Sequence, residues 1–496
     1  MVVAYRPQSP PDPRAAHEVL RRQRQRESAA RTYARTLPIV PIRADGLRVE
    51  GADGRVYLDC LAGAGTLALG HNHPVVTEAI GRVLASGVPL HTLDLGTFDK
   101  DEFTDTLLST LPGGPDDWRV HFCGPAGTDA VEAALKLTQT ATGRAGILAF
   151  TGAYHGMTAG ALAVSANVEV KAPLPPPALE VTRLPFPYDY RCPFGIGGRT
   201  AAQIAARYAE NLLTDSHSGV RPPAAMIVEP VQGEGGVLPA PDEYLRDLRR
   251  ITAEQGVPLI VDEVQTGVGR TGTFWAVEQA GVVPDVLVCS KAIGGGLPLA
   301  VIAYRADLDV WRPGAHTGTF RGNQLAMAAG AATLRHVQAT GLAGHAARLG
   351  ARMLDVLRGL RDRYDCVGDV RGRGLMLGVE IVEPDGPADP RGARPPAPEL
   401  ARRIQAGCLR RGLIVERGGR RDAVVRLLPP LIITDEQADD VLARLADAVD
   451  DARRTYPGPA TRADAGREPT TRAEAGREPT THTGPGSAPA QPGAGA

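Results

Sequence analysis

Three runs set the pattern in the middle of the chain: AAMIVEP (224–230), PLIVDE (258–263) and PDVLVCSK (284–291). They hold five, three and four apolar residues without alternation, each is flanked by proline, and in each the apolar run gives way to a polar or ionisable residue. An unbroken apolar run of this length suits a strand covered on both faces, and the polar end marks where its carboxyl edge opens on a site. Between the first two, EYLRDLRRITAEQG (243–256) puts Leu245, Leu248 and Thr252 on one helical face and stops at Gly256, a C-cap residue, so it reads as a crossover helix. HFCGPAGTDAVEAALKL (121–137) passes from a short strand into a helix whose apolar face is Val131, Ala134, Leu135 and Thr138. Runs and helical stretches alternating in this way predict an α/β fold with a largely parallel sheet.

After about residue 326 the pattern changes to two helical stretches, AMAAGAATLRHV and ARLGARMLDVLRGLRDRY, followed by strand-like RGLMLGVEIV and AVVRLLPPLIIT. This predicts a second, smaller α+β domain. Residues 27–71, with a hairpin around Asp53-Gly54 in LRVEGADGRVYLDC, are expected to pack beside it. The predicted division is an N-terminal arm (1–26), the first part of the small domain (27–71), a large domain (72–325), the C-terminal small domain (326–452) and a tail (453–496).

The two ends differ from the rest. Residues 1–26 are rich in Pro, Arg and Gln, and the arm is read as solvated and partly helical; its RRQRQR run reads as a solvated face and not as a nucleic-acid patch. In the tail, TRADAGREPT (461–470) recurs as TRAEAGREPT (471–480) with almost no large apolar residues, a composition expected to stay disordered. The whole chain has 496 residues, 43% of them hydrophobic, enough for two buried cores. Its net charge of -1 gives no broad electrostatic footprint for nucleic acid or an anionic membrane, which favours small-molecule partners. The first residues lack the apolar core of a signal peptide and no run approaches a membrane span, so neither export nor insertion is expected. Cys60, Cys123, Cys192, Cys289, Cys366 and Cys408 show no metal-knuckle or redox spacing, and read as reduced thiols of a cytoplasmic protein.

Candidate chemistry gathers at the polar ends. Gly127 and Thr128 open a helix, where backbone N–H groups and a hydroxyl can face an anion. GAYHG (152–156) offers Tyr154 as an aromatic ring suited to stacking on a flat cofactor. Asp262 ends one apolar run, and a buried carboxylate calls for a cation or several hydrogen bonds. Lys291 follows another and precedes Gly294, Gly295 and Gly296, whose backbone freedom lets the chain fold closely around a ligand. Low polarity and nearby cations lower an amine's pKa, as a Schiff-base lysine needs. Each feature also has a plain structural explanation, a tight turn, a packed tyrosine or a capping aspartate. No G-x-x-x-x-G-K-[ST] occurs, which argues against a P-loop enzyme.

Taken in order, these motifs resemble the class III aminotransferases of the fold-type I pyridoxal-phosphate enzymes over nearly all of residues 27–450. The resemblance implies a mostly parallel seven-stranded sheet in the large domain, with pyridoxal 5'-phosphate as cofactor. It implies that Gly127 and Thr128 bind the phosphate, with Ala126 where many members carry Ser. Tyr154 would stack on the ring, Asp262 pair with the pyridine nitrogen, Gln265 meet the phenolic oxygen and Lys291 form the Schiff base. Thr319, in HTGTFRGN (316–323), would reach the partner's phosphate in a homodimer with shared sites. Glu229, in EPVQGEGG, and Arg426, in VRLLPPL, match a pair in which the arginine grips an α-carboxylate and the glutamate masks it for the other substrate, a grip that suits a bidentate guanidinium.

Five stretches, ESAARTYARTLPIVP (27–41), YLDCLAGAGTLALGHNHP (57–74), LHTLDLGTFDKDEF (90–103), FCGPAGTDAVEAALKL (122–137) and PFPYDYRCPFG (185–195), resemble the diaminobutyrate-using branch more than its ornithine or 4-aminobutyrate counterparts. That branch exchanges the 4-amino group of 2,4-diaminobutyrate with 2-oxoglutarate, which would supply diaminobutyrate for a siderophore, peptide or polyamine. An ornithine, 4-aminobutyrate or acetylornithine aminotransferase, an aminomutase or decarboxylase on the same cofactor, and a non-catalytic relative remain the alternatives.

Overall fold

In a computed structural model that describes residues 13–175 and 177–457, the three apolar runs become neighbouring strands of one sheet. Its strands are β1 (Trp118–Phe122), β2 (Ile147–Phe150), β3 (Val181–Leu184), β4 (Ala225–Val228), β5 (Leu259–Asp262), β6 (Val286–Cys289) and β7 (Val301–Arg305), in the spatial order β1-β7-β6-β5-β4-β2-β3. Only β7 runs against its neighbours. The sheet is the seven-stranded, mostly parallel one that the resemblance implies.

Strands β2, β4, β5 and β6 are buried at every position because both faces are covered. Successive side chains of a strand point to opposite faces. Thus Ile227, Ile260, Val286 and Val288 pack with Val131, Ala134 and Leu137 of the helix Gly127–Thr142. Met226, Val228, Leu259, Val261 and Leu287 join the core on the other side with Leu245 and Leu248 of the helix Asp242–Glu254. That crossover helix ends at Gly256, whose φ of +57° takes the left-handed turn expected of it.

The remaining strands form smaller sheets. Arg48–Gly51 and Val56–Asp59 make the hairpin around Gly54, with Val49 opposite Tyr57. Leu413–Ile414 pairs in parallel with Leu58–Asp59, tying the late chain to the early one. An antiparallel sheet of Val367–Arg373, Met376–Ile381, Val424–Leu427 and Glu416–Gly418 puts Glu416 directly opposite Arg426. A short hairpin, Val231–Gln232 with Leu238–Pro239, follows β4. The arm contains the helix Pro13–Arg26, exposed along most of its length, while residues 1–12 and the repeated tail from 458 onward lie outside the described residues. Among the described residues no helix is long and apolar enough to cross a membrane.

Ile260 sits at the centre of the sheet with no exposed surface, so Ile260→Ala leaves a cavity. Its unfolding free energy is expected to fall by about 2–5 kcal/mol, read from the shift of a urea denaturation midpoint.

Candidate active site

Asp262 is the last residue of β5, and Lys291 comes two residues after β6. The strands are parallel, with Asp262 opposite Val288, so both residues leave the sheet at the same carboxyl edge. Asp262 is 5% exposed. His155 Nδ1 lies 2.7 Å from its Oδ2, and the Val264 amide donates to its Oδ1 at 3.0 Å. The His155 amide in turn donates to Ser165 Oγ at 2.8 Å, which fixes the loop, while its Nε2 is buried without a partner among the described residues.

Lys291 adopts a φ of +51°, a left-handed conformation that a side chain tolerates only where the surroundings impose it. Its amine has no hydrogen bond or ion pair among the described residues. Burial lowers its pKa and Arg426 pushes the same way, against the pull of Glu234, Asp262 and Glu416. The glycines that follow do a different job from the one expected. A Cβ on Gly295 would run into the Ala329 carbonyl, so it serves the close packing of the turn on the next helix.

Gly127 is the first residue of its helix, and a Cβ there would press on Val264, which lies between Asp262 and Gln265 in the chain. Ala126 supplies no capping side chain; Asp129 Oδ2 instead accepts the Ala126 amide at 3.1 Å. The first amides of a helix have no partner within it and face whatever anion arrives. Thr128 is less free than its position suggests. Its hydroxyl lies 2.7 Å from that of Thr158 and accepts the Thr158 amide at 3.2 Å, which ties two helix starts together.

The Tyr154 ring is partly exposed and its amide donates to Glu229 Oε1 at 3.0 Å. The other Glu229 oxygen accepts the Gly233 amide at 3.0 Å. Burial pushes this carboxyl up to about 7. Glu229 therefore does not meet Arg426, and the expected pair is corrected here: it ends β4 and turns back onto two amides, whereas Glu234, five residues on, reaches the arginine. Glu234 Oε1 accepts from Arg426 Nη1 at 2.6 Å, Gln265 Oε1 accepts from Nη2 at 2.8 Å, and Glu416 Oε2 lies 3.1 Å from Nη1. Tyr33 donates to Glu416 Oε1 at 2.8 Å, and Gln265 Nε2 donates to the Ala64 carbonyl at 3.0 Å. Burial opposes the Arg426 charge, but the carboxylates outweigh it and raise its pKa. Thr319 stands apart, exposed on the surface.

The comparisons with known proteins agree with this geometry. The class III aminotransferase family model matches residues 29–449. The chain belongs to the class III aminotransferases. A diaminobutyrate–2-oxoglutarate aminotransferase of Rhizobium meliloti is 55% identical over 86% of this aminotransferase and 92% of its own length. One of Haemophilus influenzae is 49% identical over 87% and 95%. Among solved structures, an (S)-enantioselective omega-transaminase of Thermomicrobium roseum superposes with a TM-score of 0.78 at 28% identity, covering 88% of this aminotransferase and 98% of that chain. A PLP-bound amine transaminase from an uncultivated Pseudomonas species gives 0.75 at 29%, covering 86% and 97%. The residues present fit that cofactor: an amine without a partner, a buried carboxylate and a helix start with free amides lie along one sheet edge.

Glu234, Glu416, Tyr33 and the His155–Asp262 contact escaped the reading of the sequence. Glu234 and Tyr33 were within the quoted EPVQGEGG and ESAARTYARTLPIVP, and Glu416 gave no local signal. Removing the buried guanidinium in Arg426→Ala strands two carboxylates, which then resist ionisation in the folded state. Their pKa values rise above the unfolded ones, so the deficit is greatest at high pH and shrinks as the pH falls and they protonate. A loss of about 3–5 kcal/mol at pH 8, smaller at pH 5, is expected in denaturation curves.

Proposed function

We propose that this aminotransferase exchanges the 4-amino group of L-2,4-diaminobutyrate with 2-oxoglutarate, the other pair being L-aspartate 4-semialdehyde and L-glutamate. The two-substrate reading rests on one contact, the cover of Glu234 over Arg426 beside an unpartnered Lys291. The carbon that carries the 4-amino group has no carboxylate, so Arg426 must then be covered. In glutamate the reacting carbon does carry one, and Arg426 must be bare. Glu234 suits a movable cover because its side chain is 36% exposed, against 9% for Glu416. The choice of diaminobutyrate rests on the names of the 55% and 49% identical relatives.

Pyridoxal phosphate, when bound, supplies the electron sink that makes the amine-bearing carbon acidic. The chain's part is to hold and to move a proton. Lys291 Nζ is the base that takes the proton from that carbon, and the lowering of its pKa by burial favours the free-amine form that the task requires. Asp262, oriented by His155, provides the anion for the cofactor's ring nitrogen. The amides of Gly127 and Thr128 would hold the phosphate, Tyr154 would stack on the ring, and Gln265 would serve the phenolic oxygen. Glu229 positions Tyr154 and the Gly233 turn through its two bonds.

The reading includes a homodimer in which Thr319 reaches the partner's site. Around Thr319, an apolar group of Leu90, Leu93, Leu95, Phe320 and Phe98, the last 95% exposed, supports an interface with a second copy. The Asp94–Arg321 ion pair and the bond from the Thr92 amide to the Gly322 carbonyl hold these two stretches together. Residues 72–325 form the large domain, and 27–71 with 326–452 the smaller one; the pairing of Leu413–Ile414 with Leu58–Asp59 supports joining those stretches. Six unpaired cysteines support a cytoplasmic setting.

With 2-oxoglutarate as acceptor, diaminobutyrate is expected to give the highest kcat/KM in a panel with ornithine, 4-aminobutyrate and acetylornithine. Lys291→Ala is expected to lose both turnover and the visible absorbance of the bound cofactor. Faster turnover of ornithine or 4-aminobutyrate would overturn the substrate, and an active Lys291→Ala the chemistry. Sedimentation equilibrium is expected to give twice the 52.2 kDa of one chain.

A further inference from the structure

The cluster at Arg426 holds one more anion than it needs. Nη1 of this fully buried guanidinium is shared by Glu234 Oε1 at 2.6 Å and Glu416 Oε2 at 3.1 Å. Only the first of these is a hydrogen bond; Glu416 Oε2 is buried and has no hydrogen-bond partner among the described residues. Its sister oxygen is pinned by Tyr33, and the residue sits in a strand directly across from Arg426, so the carboxylate is held in place with one acceptor unused. Burial raises the Glu416 carboxyl and Glu234 adds to the rise, while Arg426, the Tyr33 hydrogen bond and Lys291 work against it. A second buried carboxylate on one guanidinium is a poor stabilising device, because each buried charge needs its own partner.

A cation delivered with the substrate would supply that partner. Diaminobutyrate carries a second ammonium three bonds from the amine-bearing carbon; 4-aminobutyrate carries none. Glu416 and Glu234 both act electrostatically on Lys291, the group that marks the reacting end. Tyr33, bonded to Glu416, is 46% exposed, so this side offers a ligand a way toward the carboxylate that leaves Glu234 on Arg426. We propose that Glu416, held by Tyr33, binds the second ammonium of a diamino substrate and selects diamino donors over simple ω-amino acids. This rests on the reading of the enzyme as a transaminase of diaminobutyrate.

The test uses the holoenzyme and Glu416→Gln, a change of charge with little change of shape. Diaminobutyrate, 1,3-diaminopropane, which keeps the second amine without a carboxylate, and 4-aminobutyrate, which keeps the carboxylate without that amine, are compared through KM, or through inhibition constants where turnover is absent. Losing a charge-assisted hydrogen bond is expected to weaken both diamines about 10- to 100-fold, mainly in KM, and to leave 4-aminobutyrate within about 3-fold. Tyr33→Phe is expected to move the diamines the same way by less. A glutamate half-reaction that survives in Glu416→Gln shows that fold and cofactor are intact. Equal losses for all three donors, or no loss for the diamines, would overturn the role of Glu416. A wild-type enzyme that does not turn over diaminobutyrate would overturn instead the reading beneath it.

Discussion

Taking a guanidinium out of water costs several kcal/mol unless anions and acceptors go with it, and Arg426 has no exposed surface at all. The parts of the chain around it follow from that requirement. Its own strand, Val424–Leu427, runs opposite Glu416–Gly418, which brings one carboxylate by register alone. The hairpin after β4 brings Glu234, and the loop after β5 brings Gln265. Tyr33, from the N-terminal stretch, closes the far side of Glu416. Four segments distant in sequence converge because three carry an acceptor that the arginine lacks and the fourth, through Tyr33, a donor for its anion.

A second requirement acts at the sheet edge. Parallel strands that are buried on both faces can carry polar groups only at their ends, and β5 and β6 end side by side. This puts a carboxylate and an amine in one electrostatic field without a direct contact between them. His155 keeps Asp262 oriented, while burial and Arg426 keep Lys291 from holding its proton too firmly. The two requirements meet at Gln265: three residues after Asp262, it accepts from Arg426 and so binds the strand edge to the arginine cluster.

What could be read along the chain was what neighbouring residues decide. The apolar runs 224–230, 258–263 and 284–291 became strands because a buried strand has no other pattern, and the helix faces at Val131 and Leu245 followed from their period. Positions across space were another matter. EPVQGEGG holds two glutamates, and only the turn of the backbone after β4 decides that Glu229 faces two amides while Glu234 faces Arg426. Glu416 is ten residues from Arg426 in sequence but opposite it in the sheet, a pairing that register creates and composition does not betray. The glycines after Lys291 were assigned to the ligand, yet Gly295 answers to the Ala329 carbonyl, because packing against a distant helix leaves no local trace.

The two carboxylates on Arg426 also differ in how they can be exchanged. Glu416 belongs to a strand in register and its side chain is 9% exposed, so to leave the arginine it would have to move into protein. Glu234 lies in the turn between two-residue strands, flanked by Gly233, Gly235 and Gly236, and is 36% exposed. Were it to leave, water would take over the solvation that Arg426 gives it, and an incoming carboxylate would restore to Arg426 what Glu234 removed. In the proposed exchange, swapping one carboxylate for another would keep the number of anions on the buried charge constant. A cover hydrophobic in character would leave Glu416 as the single carboxylate on Arg426 in one of the two states. A carboxylate on a partly exposed turn suits such an exchange, and the hairpin after β4 carries one.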